Sequence, residues 1–408
     1  MYTRLPPGFA DTPAGEAAKD LIRKCVHCGF CLATCPTYQV LGDERDSPRG
    51  RIYLIKQMVE GGPASGATRL HLDRCLTCRA CETTCPSGVE YGRLLDVGRE
   101  LVEERIGRPP REQWVRSALA AMLSKRQVFS TMLGLGRIAA PVLPAKLRER
   151  IPAKRPGDWP APRHARRMVV LEGCVQPALA PSINAAAARV LDRLGVSLVR
   201  SSGERCCGAL SHHLARTGTA LEQVRHNVQV LAAALDDGAE AIISTASGCG
   251  VMVKDYDHLL RDDAELAQAA RRVAAATRDL CEVLEPTMLE AIADAPRRAG
   301  ERVAWQSPCT LQHGQKLTGR VESLLASVGY ELTPVSQAHL CCGSAGTYSI
   351  LQPQLSQELR KRKLDTLLGG RPDLIATANI GCLEHLRAAA PVPVLHWIEL
   401  IERRISEA

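Results

Sequence analysis

Sixteen of the seventeen cysteines in this 408-residue chain fall into two repeated patterns. The first is Cys25-x2-Cys28-x2-Cys31-x3-Cys35-Pro36, which recurs as Cys75-x2-Cys78-x2-Cys81-x3-Cys85-Pro86. The second is a lone cysteine, then Cys-Cys-Gly, then another lone cysteine: Cys174, Cys206-Cys207-Gly208 and Cys249, followed by Cys309, Cys341-Cys342-Gly343 and Cys382. Only Cys281 is left over, and on an apparent helix it reads as an inert core thiol. Such spacings hold inorganic groups rather than crosslink a fold. A chain of this length buries enough surface to need no disulfide staples, and an odd cysteine count argues against complete pairing.

The tight runs define the chemistry. A Cys-x2-Cys-x2-Cys loop curls around a cube and places three thiolates on three irons, so the fourth iron needs a ligand from elsewhere. In two-cluster ferredoxins of this spacing the fourth cysteine of each run serves the other cluster. Applied here, Cys25, Cys28, Cys31 and Cys85 bind one [4Fe-4S] cluster, while Cys75, Cys78, Cys81 and Cys35 bind the other. Pro36 and Pro86 fix the backbone just after each crossing ligand. Zinc also accepts four thiolates, but its sites usually pair two separated Cys-x2-Cys arms.

The Cys-Cys-Gly sets leave more open. Adjacent cysteines project differently, so a special turn, which the following glycine can supply, is needed before both face one centre. Cys174, Cys206, Cys207 and Cys249, and again Cys309, Cys341, Cys342 and Cys382, offer four thiolates each. An additional iron–sulfur cluster, a zinc site, a redox disulfide or buried structural cysteines all remain possible. His212, His213, His313 and His385 lie near these motifs and could ligate or shuttle protons, although packing or surface roles are the plainer expectation, with His385 the best exception.

Around these motifs the apolar pattern sets an α+β multidomain organisation. Residues 1–104 read as an alpha-helical ferredoxin-like domain: Ser47-Pro48 is a helix start, launching Ile52, Leu54, Ile55, Met58 and Val59 toward a core, and Leu94, Leu95, Val97 and Leu101 mark another helix. Residues 105–167 read as a helical and basic, Pro-rich connector. Its Trp114, Leu119, Met122, Leu123, Phe129, Met132 and Leu133 are expected to pack inward, with a greasy partner surface as the alternative. Lys146, Arg148, Arg150, Lys154, Arg155, Arg163, Arg166 and Arg167 then face only Glu149 and Asp158, in a segment punctuated by Pro152, Pro156, Pro160 and Pro162. That is either a solvated linker or a surface for an anionic membrane or acidic partner.

Beyond 167, short strands alternate with alanine-rich helices, as in 168–171, 241–244, 303–305 and 374–376, each leading into a lone cysteine. Helices over 183–194 and 316–328 return the chain. This βαβ pattern predicts an α/β duplicated domain with parallel sheets and ligands at strand C-termini. Residues 168–300 and 301–408 are its two repeats, offset by 135 residues from Cys174 to Cys309.

Several function classes are excluded. No Gly-x-Gly-x-x-Gly follows a strand and no phosphate-binding loop is present, so neither NAD nor ATP is implied. No nucleophile elbow or His-Glu-x-x-His helix appears. Aromatics are only 3% of the chain and the net charge is +8 with no recognition motif beside it, which argues against nucleic acid. No apolar run approaches the ~20 residues that cross a bilayer. The first residues, Met1 to Gly8, lack a secretory signal's apolar stretch, which sets the expectation of a reducing, cytoplasmic compartment.

At this point a family resemblance is specific. Cys25-Val-His-Cys-Gly-Phe-Cys-Leu-Ala-Thr-Cys-Pro-Thr-Tyr38, Gly42-Asp-Glu44, Pro48-Arg-Gly-Arg-Ile-Tyr-Leu-Ile-Lys-Gln57 and Asp73-Arg-Cys-Leu-Thr-Cys-Arg-Ala-Cys-Glu-Thr-Thr-Cys-Pro-Ser-Gly88 resemble the iron–sulfur subunits of bacterial glycolate oxidase (glycolate dehydrogenase). So do Leu171-Glu-Gly-Cys174, Thr245-Ala-Ser-Gly-Cys-Gly250, Pro308-Cys-Thr-Leu-Gln-His313, His339-Leu-Cys-Cys-Gly-Ser-Ala-Gly-Thr-Tyr348, Thr377-Ala-Asn-Ile-Gly-Cys382 and His396-Trp-Ile-Glu-Leu400. The likeness is nearly end to end and weakest between about 105 and 165.

The resemblance implies a three-part oxidoreductase acting on a CH–OH donor with a non-NAD acceptor. Flavoprotein subunits carrying FAD would oxidise glycolate to glyoxylate, and this chain would relay electrons toward a membrane quinone, without turning over substrate alone. It implies a position peripheral to the cytoplasmic face of the inner membrane. The subunits of D-lactate and glycerol-3-phosphate dehydrogenases share both cysteine patterns and remain alternatives. A heterodisulfide reductase-like catalytic role is a further one, but members of that group end each repeat in Cys-x2-Cys. Here Met252 and His385 stand at the second position, so a five-thiolate cluster is not implied.

Overall fold

The computed structural model describes residues 1–142, 144, 157–292 and 300–406. The basic positions Lys146, Arg148, Arg150, Lys154 and Arg155, together with Glu149, Pro152 and Pro156, lie outside the described residues.

The N-terminal part is helical, as the pattern predicts. Ser47 caps the helix Pro48–Val59, its hydroxyl accepting from the Gly50 amide, with Pro48 in the first turn where a missing N–H costs nothing. That helix buries Ile52, Ile55, Met58 and Val59 against Leu94, Leu95, Leu101 and Val102 of the helix Tyr91–Ile106 and against Leu21 and Ile22 of the helix Pro13–Lys24. The cysteine loops hang on this core, with Cys25, Cys75 and Cys81 inside it.

Two four-stranded parallel sheets follow. β1 (Arg166–Leu171), β2 (Val196–Arg200), β3 (Ile242–Ser244) and β4 (Thr277–Asp279) lie in the order β2-β1-β3-β4. β5 (Arg302–Gln306), β6 (Glu331–Thr333), β7 (Leu374–Thr377) and β8 (Val394–His396) repeat that order as β6-β5-β7-β8. One core serves both: Val170, Ile243, Val303 and Ile375 belong to a single apolar cluster, filled between the sheets by the helices Pro181–Arg193 and Trp397–Ser406. The fold class read from the pattern is observed: a helical ferredoxin-type part and a duplicated α/β part with parallel sheets.

The connector differs from expectation in one respect. Leu119 is buried, but Trp114 and Met132 are exposed, and the helix Arg126–Ala139 buries none of its residues. Val128, Met132, Leu135 and Ile138 instead form an outward apolar stripe at helical spacing.

Candidate metal centres

Each tight cysteine run is wound by the same backbone device. Residues two and four beyond the first cysteine adopt left-handed conformations: His27 (φ 56°) and Gly29 (φ 87°) in one run, Thr77 (φ 54°) and Arg79 (φ 58°) in the other. Alternation of right- and left-handed residues turns successive amides inward and builds an anion-binding nest. The Thr77 amide accordingly points at Cys75 Sγ, 3.4 Å away. Three of these four residues carry a Cβ, at a cost of about 1–2 kcal/mol each, a strain that a group accepting those amides would offset.

Two adjacent hollows result. Cys25, Cys28, Cys31 and Cys85 line one, and Cys35, Cys75, Cys78 and Cys81 line the other, with Cys81 bordering both. The fourth cysteine of each run thus stands in the hollow of the other. The chemistry of the lining fits a thiolate-ligated cluster: sulfur donors, apolar walls and inward amides, with no carboxylate in either lining. Burial raises the Cys31 thiol to about 11, with Cys25 and Cys35 adding to it, and pushes Cys78 and Cys81 well above the usual value. These thiols are protonated at neutral pH until a metal displaces the protons.

Arg51 is the residue that spacing alone did not assign a role. It lines the second hollow, and its guanidinium donates to Thr37 Oγ1, to the His71 carbonyl and to Asp46 Oδ1 at 3.2 Å. Burial works against its charge, but Cys75, Tyr91, Cys35 and Asp46 outweigh that and hold its pKa above the ordinary value. The available signal was its place in the Pro48-Arg-Gly-Arg51 helix start, where an arginine shares a face with Ile55 and Met58 and so points into the core.

In the duplicated part the strand order reverses between β1 and β3, and again between β5 and β7. Cys174 and Cys249 follow β1 and β3, and Cys309 and Cys382 follow β5 and β7, so each set sits in the crevice beyond the strand C-termini at a topological switch point. Gly208 (φ 92°) and Gly343 (φ 88°) supply the turn that splits the adjacent cysteines. A Cβ on Gly343 would meet the Ser356 carbonyl oxygen at 2.6 Å, so the position admits no side chain.

The split is the same in both repeats. Cys341 Sγ lies 3.9 Å from Cys309 Sγ, and Cys342 Sγ lies 3.3 Å from Cys382 Sγ. Cys206 likewise meets Cys174, and Cys207 meets Cys249. Hydrogen bonds from Cys174 and Cys207 hold the Cys206 thiol below its ordinary value, while the hydrogen bond with Cys341, and then burial, raise Cys309. Around a single ion with bonds near 2.3 Å, tetrahedral thiolates stand roughly 3.8 Å apart; among the described residues no three sulfurs of either set lie within 4.8 Å of one another, so each set stands as two thiol pairs rather than a preformed four-sulfur site for one ion. The two sets are tied through their loops, with Ser247 N donating to the Ala378 carbonyl and Gly248 N to Asn379 Oδ1.

The ferredoxin-type part touches the two repeats differently. Cys78 and Cys309 share an apolar cluster with Leu76, Cys341 and Tyr348, and Cys309 is, after burial, the largest influence raising Cys78. Tyr348 Oη donates to the Arg74 carbonyl at 3.1 Å, and His313 Nδ1 stands 2.9 Å from Thr83 Oγ1. The first repeat instead meets this part through Arg79–Asp255 and through Asp96 beside His212.

The remaining candidates separate from the cysteines. His313 Nε2 is spent on the His339 carbonyl, and His385 Nε2 lies against Ser356, with burial lowering its pKa to about 4. Met252 packs beside Cys207 in the apolar core. Cys281 is fully buried, as an inert core thiol would be, but on a three-residue 3-10 turn capped by Asp279 rather than on a helix, its thiol pushed far up by burial and by Asp279.

Comparison with known proteins defines the class. The family described as "4Fe-4S dicluster domain" matches residues 21–89, and the family described as "Cysteine-rich domain" matches 168–254 and 303–387. This is an iron–sulfur protein with an electron-transfer role, joining a dicluster module to a duplicated cysteine-rich one. The glycolate oxidase iron-sulfur subunit of Escherichia coli (strain K12) is 47% identical over 100% of both chains. A probable glycolate oxidase iron-sulfur subunit of Bacillus subtilis (strain 168) is 32% identical over 89% of this chain and 88% of its own. The chain belongs to the glycolate oxidase iron–sulfur subunit family. Lactate utilization protein A of Bacillus licheniformis is 25% identical over 57% of this chain and 97% of its own. In fold alone, a crystal structure of a hypothetical protein from Helicobacter pylori resembles it with a TM-score of 0.50 at 11% identity, covering 97% of this chain and 73% of that one.

Proposed function

We propose that this chain relays electrons from a flavin-dependent oxidation of glycolate to glyoxylate toward a quinone-type acceptor. The observation that carries the reading is the succession of thiols from hollow to hollow: Cys25, Cys28, Cys31 and Cys85, then Cys35, Cys75, Cys78 and Cys81, then Cys309 and Cys341 across the boundary. In this reading the eight cysteines of the two tight runs ligate two [4Fe-4S] clusters in the crossed arrangement, and the Cys-Cys-Gly sets hold further iron–sulfur or zinc centres. Bound clusters would supply one-electron transfer, which is what emptying a two-electron donor requires.

The chain's own residues prepare that chemistry. Amides of the two nests donate to sulfur, apolar walls exclude water, and Arg51 holds a buried positive charge against the thiolates of the second hollow. Glycolate loses two electrons and two protons on oxidation. The flavoprotein subunits carrying FAD would take both electrons, and this chain would remove them singly. The exposed stripe Val128, Met132, Leu135 and Ile138 would rest on a membrane surface, which suits a quinone acceptor. Among the described residues no helix is long and apolar enough to cross a membrane.

The test is the metal content of anaerobically purified protein, with EPR after dithionite reduction, followed by turnover of the reconstituted complex on three donors. About eight irons per chain are expected for two cubanes, and roughly twelve to sixteen if the repeats hold clusters too. A complex that oxidises D-lactate or glycerol 3-phosphate but not glycolate would remove the glycolate assignment and leave the relay intact.

A further inference from the structure

We propose that Asp96, His212 and His213 form a site for a first-row divalent cation of the Zn²⁺ kind at the seam between the helical domain and the first repeat. Asp96 stands on the helix Tyr91–Ile106, and the histidines end the short helix Ala209–His213 that begins directly after Cys206-Cys207-Gly208. One ligand atom from each of the three residues lies within 4.8 Å of the other two.

The second observation is a pair of unsatisfied atoms. Asp96 Oδ1 and His212 Nδ1 are both buried, have no hydrogen-bond partner, and face each other at 3.9 Å. That distance is too long for a hydrogen bond, and leaving such groups unpaired costs about 1–3 kcal/mol apiece. An ion between them removes both penalties. With bonds near 2.0–2.2 Å, tetrahedral ligands stand roughly 3.3–3.5 Å apart, which small side-chain rotations reach. His213 packs edge-on to His212 with ring centroids 5.8 Å apart, and its exposure gives an ion a way in.

The donor set selects the ion. Two imidazoles and one carboxylate make the three-protein-ligand set that leaves a fourth position to water, and imidazole suits zinc, copper and nickel over magnesium or calcium. The neighbouring cations are already committed: Arg79 pairs with Asp255 at 2.7 Å, and Arg99 donates to Thr77 Oγ1 and to the Leu72 and Cys75 carbonyls. A bound ion would clamp the helical domain to the helix that carries the Cys206-Cys207 turn, and it takes no part in electron transfer.

The experiment is equilibrium dialysis of the anaerobically purified holoprotein against Zn²⁺, with zinc K-edge absorption to read the ligand shell. One zinc per chain with a nitrogen and oxygen shell near 2.0–2.1 Å is expected, lost in Asp96→Asn and in His212→Gln while iron content stays unchanged. Zinc with a shell made only of sulfur near 2.3 Å, a nitrogen and oxygen shell kept by both variants, or no zinc at all overturns the proposal. The wild-type shell decides the matter even if a variant folds poorly, and none of these readouts depends on which donor the complex oxidises.

Discussion

Arg51 and Asp46 form an ion pair at 3.2 Å in which neither side chain reaches solvent, with exposures of 1% and 0%. Arg74 and His71 converge on the same carboxylate, and the Asp46 carbonyl accepts from Thr37 Oγ1 and Cys35 Sγ. The pair therefore links the charge balance of the second hollow to the placement of Cys35, the cysteine that crosses between runs. Breaking a buried pair leaves an uncompensated charge and costs about 3–5 kcal/mol. Asp46→Asn is expected to lose roughly that much in anaerobic denaturant titration. The EPR signal of the Cys35-containing site should disappear at lower denaturant than the other; simultaneous loss of both would show that Asp46 supports the whole domain rather than this hollow.

The crossed lining makes a prediction that position in the sequence would reverse. Cys35 belongs to the first run but stands with Cys75, Cys78 and Cys81. The reduced EPR spectrum of Cys35→Ser should therefore match that of Cys75→Ser and differ from that of Cys25→Ser, with about four irons lost in each. Conversely, Cys85→Ser should match Cys25→Ser. Grouping by run instead of by hollow would rule out the crossed assignment.

Much of this was legible because the relevant signals are local. Cysteine spacing, the Ser47-Pro48 helix start and the β1, β3, β5 and β7 strands each lie within a few residues of chain, and each appears where the pattern places it. The pattern leaves out β2, β4, β6 and β8, the four edge strands, in which polar positions such as Ser197, Arg278, Glu331 and His396 interrupt the apolar run that marks the central strands. What no local pattern carries is which elements meet. The contact of Cys78 with Cys309, and that of Asp96 with His212, join residues more than a hundred positions apart. The connector misled for a physical reason: apolar residues at helical spacing announce an apolar face, but not whether the chain itself covers it.

Asp279 gives a pH test away from the sixteen patterned cysteines, beside only the leftover Cys281. Burial holds its carboxyl up to about 6, against a usual value of 3.8, while its side chain caps the turn at the Cys281 amide. A raised acid stabilises the fold fully only below the unfolded pKa, and that stability is lost as pH rises through about 6. Asp279→Asn keeps the capping acceptor without the titration. Wild type should lose on the order of 1–3 kcal/mol relative to Asp279→Asn between about pH 5 and about pH 8. Thermal midpoints of the anaerobic holoprotein at fixed scan rate measure this, and parallel curves for the two proteins would contradict it.

The outward stripe of the helix Arg126–Ala139 is apolar, and among the described residues nothing covers Leu135 and Ile138, whose side chains are exposed. An interfacial helix binds in proportion to the apolar area it inserts, aided by nearby positive charge on anionic lipid. Here exposed Lys125 precedes the helix, and the sequence after it continues through Lys146, Arg148 and Arg150. Burying a leucine or isoleucine side chain contributes about 1.5–3 kcal/mol, so replacing either by aspartate should weaken binding roughly tenfold or more. Sedimentation with phosphatidylglycerol vesicles is therefore expected to fall in Leu135→Asp and further in Leu135→Asp/Ile138→Asp, with iron content unchanged. If vesicle binding is untouched while the flavoprotein subunits no longer co-purify, the stripe is a subunit interface, and the membrane contact must be sought on another subunit.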